Sequence, residues 1–375
     1  MAPHESPLAL VHGEAGAIMT EFAGWQLPLE YTSVAEETHA TRRAAGLFDV
    51  SQMGNLHLLG RGAAAAAREA LTRDVTAVPV CCSGYALLCN EKAGVIDDLI
   101  FLVMSGSAIG LVVNAVNHYK DVAWLNQHLA LNMQVDLEDL RGRSFGIALQ
   151  GPKSEEILRS TNIQGRFPDL FGTFTYMRIA LMDVLVSRTG YTGEDGFELF
   201  GAAEDGPVVW QTVLNFGREH GLAPAGIAAR DVLRQEMGYP LAGQDISEET
   251  TPLEAGLRWA VDWKGSFVGR SALEKAQPAR RRLGFVMEEH GIARRGAAIY
   301  RGDEQVGTVT SGTYSHSLGA AIGQGYVSLA ANPAPGDEVE IEVRGKRMKA
   351  KLAKLPLIAK KTRPSWGQTE RRMKS

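Results

Sequence analysis

The 375-residue sequence is poor in cysteine: there are three, Cys81, Cys82 and Cys89, and two of them are neighbours. An odd count with that spacing gives no disulfide framework and points to a reducing compartment. Cys81–Cys82 reads either as a redox pair or as two buried small hydrophobes, a disulfide between neighbours being strained. The nine histidines show no H-E-x-x-H spacing and find no C-x-x-C partner, so a protein-held metal is not expected. A G-x-S-x-G elbow and a G-K-[ST] phosphate loop are also missing, which leaves the ordinary serine hydrolases and P-loop enzymes without support. No apolar run approaches the ~20 residues that a membrane helix needs. The opening "MAPHESPLALVHGEAGAIM" lacks the basic start and long apolar stretch of a secretory signal, and it carries Glu5 and Glu14 but no arginine. A cytoplasmic location is therefore expected. With a formal net charge of -4, the chain has no overall basic field to attract nucleic acid.

What is present is an ordinary globular composition, 45% hydrophobic and 22% charged, over a length that suits two or three domains. "SVAEETHATRRAAGLF" (33–48) predicts a helix, with Ser33 as its cap and Glu36 as capping-box partner. "GNLHLLG" (54–60) alternates as a strand does, and "RGAAAAAREALTRD" (61–74) predicts an alanine-rich helix. "GYALLCNEKAGVIDDLIFLVMSG" (84–106) predicts two strands joined by a turn at Asn90–Gly94; "AIGLVVNA" (108–115) is a third strand and "HYKDVAWLNQHLAL" (118–131) a helix. That order suggests an α+β unit with a mostly antiparallel sheet. A second run of the same kind follows, with strands around a glycine-rich turn in "YMRIALMDVLVSRTGYTGEDGFELF" (176–200) and helices at 207–221 and 228–238. Beyond about residue 280 the texture becomes short alternating strands, which predicts a small β-barrel or sandwich. The stretch "RPSWGQTERRMKS" (363–375) is basic and polar and is expected to be frayed.

Several motifs have both a bland and a chemical reading. "GRGAAA" (60–65) fits G-x-G-x-x-A, but no acidic residue closes a following strand about 20 residues on, and the hairpin downstream is not a parallel βαβ unit. "SRTGYTGEDGFELF" (187–200) is either a polar hairpin tip or a tight loop that brings Tyr191, Glu194 and Asp195 against a ligand. "AARDVLRQEMG" places Arg230 and Arg234 on one helix face, as a surface ion-pair face or as ligand contacts. "VIDDLIF" sets two carboxylates inside an apolar strand. Alternation sends Asp98 to the side of Ile96 and Ile100, and Asp97 to the side of Val95, Leu99 and Phe101. One of them faces a cavity where a carboxylate suits a ligand's N–H groups, and alternation alone does not say which.

Taken together, "FAGWQLPLEY" (22–31), "RRAAGLFDVSQMG" (42–54), "GVIDDLI" (94–100), "ALQGP" (148–152), "SRTGYTGEDGFE" (187–198), "AGIAARDVLRQEMG" (225–238), "GQDISEETTPLEAGL" (243–257) and "GTVTSGTYSHSLG" (307–319) resemble the glycine-cleavage T-protein family of folate-dependent aminomethyltransferases. They follow the family's order over roughly residues 6–357. The resemblance implies an α+β, three-domain cloverleaf around a central folate hole. Two interleaved ferredoxin-like units would occupy 1–50 with 142–245 and 51–141 with 246–279; a β-barrel would span 280–362, ahead of a flexible tail at 363–375. It implies Asp98 as the catalytic residue and Tyr85, Asn114, Tyr191, Glu194 and Arg230 as the folate pocket, with Arg230 orienting the Glu194 carboxylate or touching the cofactor. It further implies tetrahydrofolate as acceptor, a lipoylated H-protein as carrier, and a monomer without nucleic-acid or membrane partners. Three positions depart from the family pattern: Gln52 for histidine, Ala242 for tyrosine, and "KLPLIAKK" for an aromatic closure. Ala242 and Leu357 motivate the alternative of a related demethylase acting on a small methylated substrate. A folate-binding factor of iron–sulfur assembly would carry K-G-C-Y-x-G-Q-E, whereas the loop here is "RTGYTGED" without cysteine.

Overall fold

A computed structural model describes residues 2–129 and 134–369. Its strands form sheets of three, six and five strands and a closed six-stranded barrel, an α+β architecture as expected. The six-stranded sheet runs Phe174–Ile179, Met182–Ser187, Gly196–Ala202, Ser144–Gln150, Ala45–Asp49, Leu222–Pro224, antiparallel except for its last pair. The five-stranded sheet runs Cys82–Cys89, Val95–Ser105, Ala108–Val113, Gly54–Leu59, Asp136–Asp139, antiparallel throughout. One strand of the larger sheet precedes this five-stranded segment in the chain and the rest follow it, so the two sheets are interleaved in sequence. The antiparallel order also rules out a dinucleotide fold around Gly60, although Gly60 does lead from a strand into the helix Ala63–Ala70.

Ser33 caps the helix Val34–Arg43, its hydroxyl oxygen accepting from the Glu36 backbone N–H at 3.2 Å. That helix was expected to run to residue 48. It ends at Arg43, and Ala45–Asp49, all five residues buried, forms a central strand instead. A short apolar run buried on both faces has no period-2 signal, so periodicity alone cannot separate it from a helix. The alanine-rich helix is likewise shorter than 61–74.

All six barrel strands stand where the alternating texture placed them, from Arg280–Met287 to Lys346–Ala353, with Leu283, Phe285, Val309 and Ile341 packed inside. The stretch from 363 differs from expectation. Up to Thr369 it is docked: Ser365 bridges to Phe171, and the Trp366 indole N–H donates to the Ser83 carbonyl at 2.9 Å. An indole ring covers apolar surface and still satisfies its N–H, which outweighs the polar composition around it. Residues 370–375 lie outside the described residues. All three cysteines are free, Cys81 exposed and Cys82 and Cys89 buried. Among the described residues no helix is long and apolar enough to cross a membrane.

Candidate active site

The carboxylate pair lies on the strand Val95–Ser105. Asp97 stands opposite Leu88 and Asp98 opposite Leu87, but Val95, not Ile96, stands opposite Cys89. Ile96 is thus an extra residue, a β-bulge of the kind that re-aims side chains beside functional sites. It corrects the alternation drawn from sequence. Ile96 packs with Leu99 and Phe101 on the Asp97 side, and Val95 packs with Leu87, Cys89 and Tyr85 on the other. The two carboxylates themselves remain on opposite faces.

Asp98 is held by neighbours on both sides. The Tyr85 hydroxyl donates to its Oδ2 at 2.8 Å, and Asn114 Nδ2 donates toward its Oδ1 at 3.0 Å and its carbonyl at 2.8 Å. Burial pushes the Asp98 carboxyl up to about 7, and the charge of Asp97 adds to the push, while the Tyr85 and Asn114 bonds oppose it. Tyr85 is stacked on the Trp259 ring, centroids 5.1 Å apart. Asn114 is the link between the carboxylates: its backbone N–H and Nδ2 also donate to Asp97 at 2.9 and 3.0 Å. With its side-chain amide nitrogen committed to the two aspartates, Asn114 sets the angle of Asp98.

The glycine-rich loop brings the second group of residues. Gly193 has φ +80°, and a Cβ there would lie 2.2 Å from the sulfur of Met237, the residue that ends the helix Ile227–Glu236, so any side chain would be strained and would have to displace that methionine. The turn buries Glu194. Its Oε1 accepts from Arg42 Nη1 at 3.1 Å and Lys361 Nζ at 3.0 Å, while Oε2 is buried with no hydrogen-bond partner among the described residues. Of the two roles expected for Arg230, orienting this carboxylate falls to Arg42 and Lys361 instead. The Arg230 guanidinium lies over the Tyr191 ring at 5.1 Å, and its Nη1 is also buried and unpartnered. Tyr191 stacks on Tyr239 and donates its hydroxyl to the Pro240 carbonyl, which leaves a ring rather than a hydroxyl for a ligand. Asp195, named with Tyr191 and Glu194 from sequence, is used structurally: it pairs with the buried Arg188. Arg234 is no surface ion-pair residue either, being buried and bound to Asp245 at 2.6 Å.

The charge of Asp98 acts on Tyr191, and the Tyr191 hydroxyl acts on Tyr85, so the two groups share one electrostatic neighbourhood. Together they offer an acceptor (Glu194 Oε2), a donor (Arg230 Nη1), aromatic faces and a carboxyl poised near neutrality. Among the described residues no cluster of His, Cys, Asp and Glu is arranged to hold a metal ion.

Comparison with known proteins shows which family the chain resembles. Residues 8–265 match the family described as the GCVT N-terminal domain, and residues 280–358 match the glycine cleavage T-protein C-terminal barrel domain. The chain belongs to the glycine cleavage T-protein family. Aminomethyltransferases of Anoxybacillus flavithermus and Thermotoga maritima are each 40% identical to it; the alignments cover 94% of this chain and 97% and 96% of theirs. The crystal structure of glycine cleavage system aminomethyltransferase T from Bartonella henselae superposes with a TM-score of 0.89 at 33% identity, covering 95% of this chain and 98% of that one. The expectation of an aminomethyltransferase-type enzyme therefore holds.

Within this T-protein fold, the departures noted in the sequence have definite places. Ala242 is buried in a cluster with Leu87, Cys89 and Val95, against which Tyr85, the residue that bonds Asp98, also packs. Gln52 is buried after the strand Ala45–Asp49, and its Oε1 has no hydrogen-bond partner among the described residues. Leu357 joins the helix Ile227–Glu236 by donating its N–H to the Glu236 carbonyl at 2.9 Å, and four residues later Lys361 reaches Glu194. Sequence reasoning assigned no role to Arg42 or Lys361. Arg42 lies inside a stretch that carried the family resemblance, but nothing local tells that it meets a carboxylate 152 residues away.

Proposed function

We propose that this chain takes the aminomethyl group carried on the lipoyl sulfur of an H-protein and delivers its methylene to tetrahydrofolate. The C–S and C–NH2 bonds break, ammonia and the dihydrolipoyl thiol leave, and the carbon ends bonded to two folate nitrogens. Tetrahydrofolate supplies that pair of nitrogens, N5 and N10. No covalent enzyme intermediate is required, in keeping with the lack of an elbow nucleophile, and the protein contributes positioning and electrostatics. Asp98 hydrogen-bonds the folate near N10 and, as an anion, stabilises the positive charge that develops on the migrating carbon. Tyr85 and Asn114 fix Asp98. Glu194 accepts from the pterin ring through its free Oε2, Arg230 donates through its free Nη1, and Tyr191 packs its ring against the ligand. Free cysteines suit a cytoplasmic location.

The observation that carries this reading is the pair of buried, unpartnered polar atoms, Glu194 Oε2 and Arg230 Nη1, in one site with a carboxyl raised to about 7. The deciding assay is ammonia release from aminomethylated H-protein with and without tetrahydrofolate. Folate-stimulated release is expected. Release that does not respond to folate, with demethylation of a small methylated amine instead, would transfer the site to the demethylase chemistry that Ala242 and Leu357 suggested.

Glu194→Gln removes the charge but keeps the shape, and leaves Arg42 its second partner, Glu236, at 2.5 Å. Titration of the variant with tetrahydrofolate should show affinity lower by about 10- to 100-fold, the worth of a hydrogen bond to a charged group. Unchanged affinity would remove Glu194 from the pocket.

A further inference from the structure

Behind the site, on the other side of the sheet, Asp121 sits on the helix His118–His128 and is completely buried. Among the described residues, neither of its carboxyl oxygens receives a hydrogen bond from an N–H or O–H donor. Its polar neighbour is Asp97, and the two carboxyl groups are within hydrogen-bonding reach of each other. Asp97 already accepts three N–H bonds: from the Asn114 backbone at 2.9 Å, Asn114 Nδ2 at 3.0 Å and Asn117 Nδ2 at 2.8 Å. Two carboxyl groups in contact away from water hold at least one proton between them. The side with three donors keeps the charge and the side with none keeps the proton.

We infer that Asp121 is a positioning residue of the transfer site: as an uncharged acid it donates its proton to Asp97 and so keeps that neighbour of Asp98 ionised. This rests on the role of Asp98 given under the proposed function. Each element packed around Asp121 is consistent with it. The strand contributes Asp97 and Asp98, and the preceding loop contributes the amides of Asn114 and Asn117. On its own helix, Lys120 turns its ammonium to Glu248 at 2.9 Å, and His118 is bound to Asp139 at 2.8 Å. Beyond Asp98 lies Tyr85, with the charge of Arg282 acting on it. Burial first, and the charge of Asp97 second, push the Asp121 carboxyl up to about 10, only partly opposed by Lys120. The ionised Asp97 is in turn what helps lift Asp98 to about 7. Asp121 thus acts on the reaction through two intermediaries and touches no substrate.

The test compares the full-length wild type with Asp121→Asn and Asp121→Leu. Native Asp121 retains a proton that the unfolded chain releases above its ordinary value of 3.8, so wild-type stability falls with rising pH on its account. Asparagine keeps a donor for Asp97 without a titration. The melting temperature of Asp121→Asn relative to wild type should therefore climb steadily between pH 5 and pH 9, roughly the interval between the two values. A flat difference would mean an ionised Asp121 and overturn the assignment. This readout needs no catalysis, so it still decides if wild type fails to release ammonia and the proposed function itself falls. In turnover, Asp121→Asn should keep the acid limb of kcat within about 0.3 pH unit of wild type, and Asp121→Leu should move it down by about half a unit or more. Without the acid hydrogen bond Asp97 binds a proton more readily and pushes Asp98 less. An unmoved limb in a folded Asp121→Leu, or a shift beyond about half a unit in Asp121→Asn, would overturn the inference. The asparagine variant is decisive alone where the leucine variant does not fold.

Discussion

Asp98→Asn is expected to lower turnover at least about 100-fold while tetrahydrofolate binding stays within about tenfold. Asparagine keeps the shape and can still accept one of the Tyr85 and Asn114 hydrogen bonds through its single oxygen, so the position of the side chain is largely kept and what disappears is the negative charge proposed to act at the migrating carbon. In wild type the same charge should impose an acid limb on kcat near pH 7, since protonation of Asp98 abolishes it. Stability should move the other way. The native carboxyl holds its proton up to about 7, whereas the unfolded chain ionises near 3.8, so a penalty on folding grows from pH 4 to pH 7 and is complete above it. The variant lacks that penalty and should melt at a higher temperature than wild type at pH 8 and at an equal one near pH 4. Turnover at the wild-type rate would end the assignment of Asp98.

Arg234→Met should produce the largest loss of stability, about 3–5 kcal/mol, the usual consequence of removing one member of a buried ion pair. The guanidinium meets Asp245 at 2.6 Å, Asp231 at 2.8 Å, the Tyr239 carbonyl at 3.1 Å and Ser311 at 3.1 Å. Asp245 also accepts from the barrel residues Thr310 at 2.5 Å and Ser311 at 2.6 Å. One cation thus joins the helix Ile227–Glu236, the loop after it and the barrel. Burial would raise the Asp245 carboxyl, but Arg234 together with its hydroxyl and amide donors brings it below the ordinary value. Its contribution to stability is therefore present above pH 4 and lost on acidification below that. In the methionine variant burial is no longer opposed by a cation, so the deficit should be greatest near pH 8 and shrink as Asp245 takes up a proton toward pH 5. Denaturant unfolding across that range measures it. A pH-independent deficit would mean that lost packing, not the stranded charge, is responsible. Arg178→Met, which breaks the exposed pair with Asp183, is the control and should change little.

Much of this was legible because it is local. The barrel strands alternate and the hairpins carry turn residues, so their positions followed from the sequence. The carboxylate pair was conspicuous because nothing apolar explains two charges in "VIDDLIF". The missed features share one physical cause, which is that they are settled by partners far along the chain. Ala45–Asp49 became a strand because two other strands flank it. The bulge at Ile96 is a property of pairing with Cys82–Cys89, invisible in either strand alone. Glu194 was found by its loop, but its cations, Arg42 and Lys361, lie 152 and 167 residues away. Asp121 looked like an unremarkable helix residue until the sheet set Asp97 against it.

The segment that leaves the barrel at Ala353 ties back to Glu236, Glu194, Glu155 and Ser83 through Leu357, Lys361, Arg363 and Trp366. Protein synthesis proceeds in one direction. While the barrel strands are still being made, Glu194 has Arg42 but not Lys361, and the Ser83 carbonyl has no indole. Glu194 therefore acquires its second cation only after the barrel has been synthesised, and a nascent chain stalled within the barrel carries the site's sheets without their final clasp.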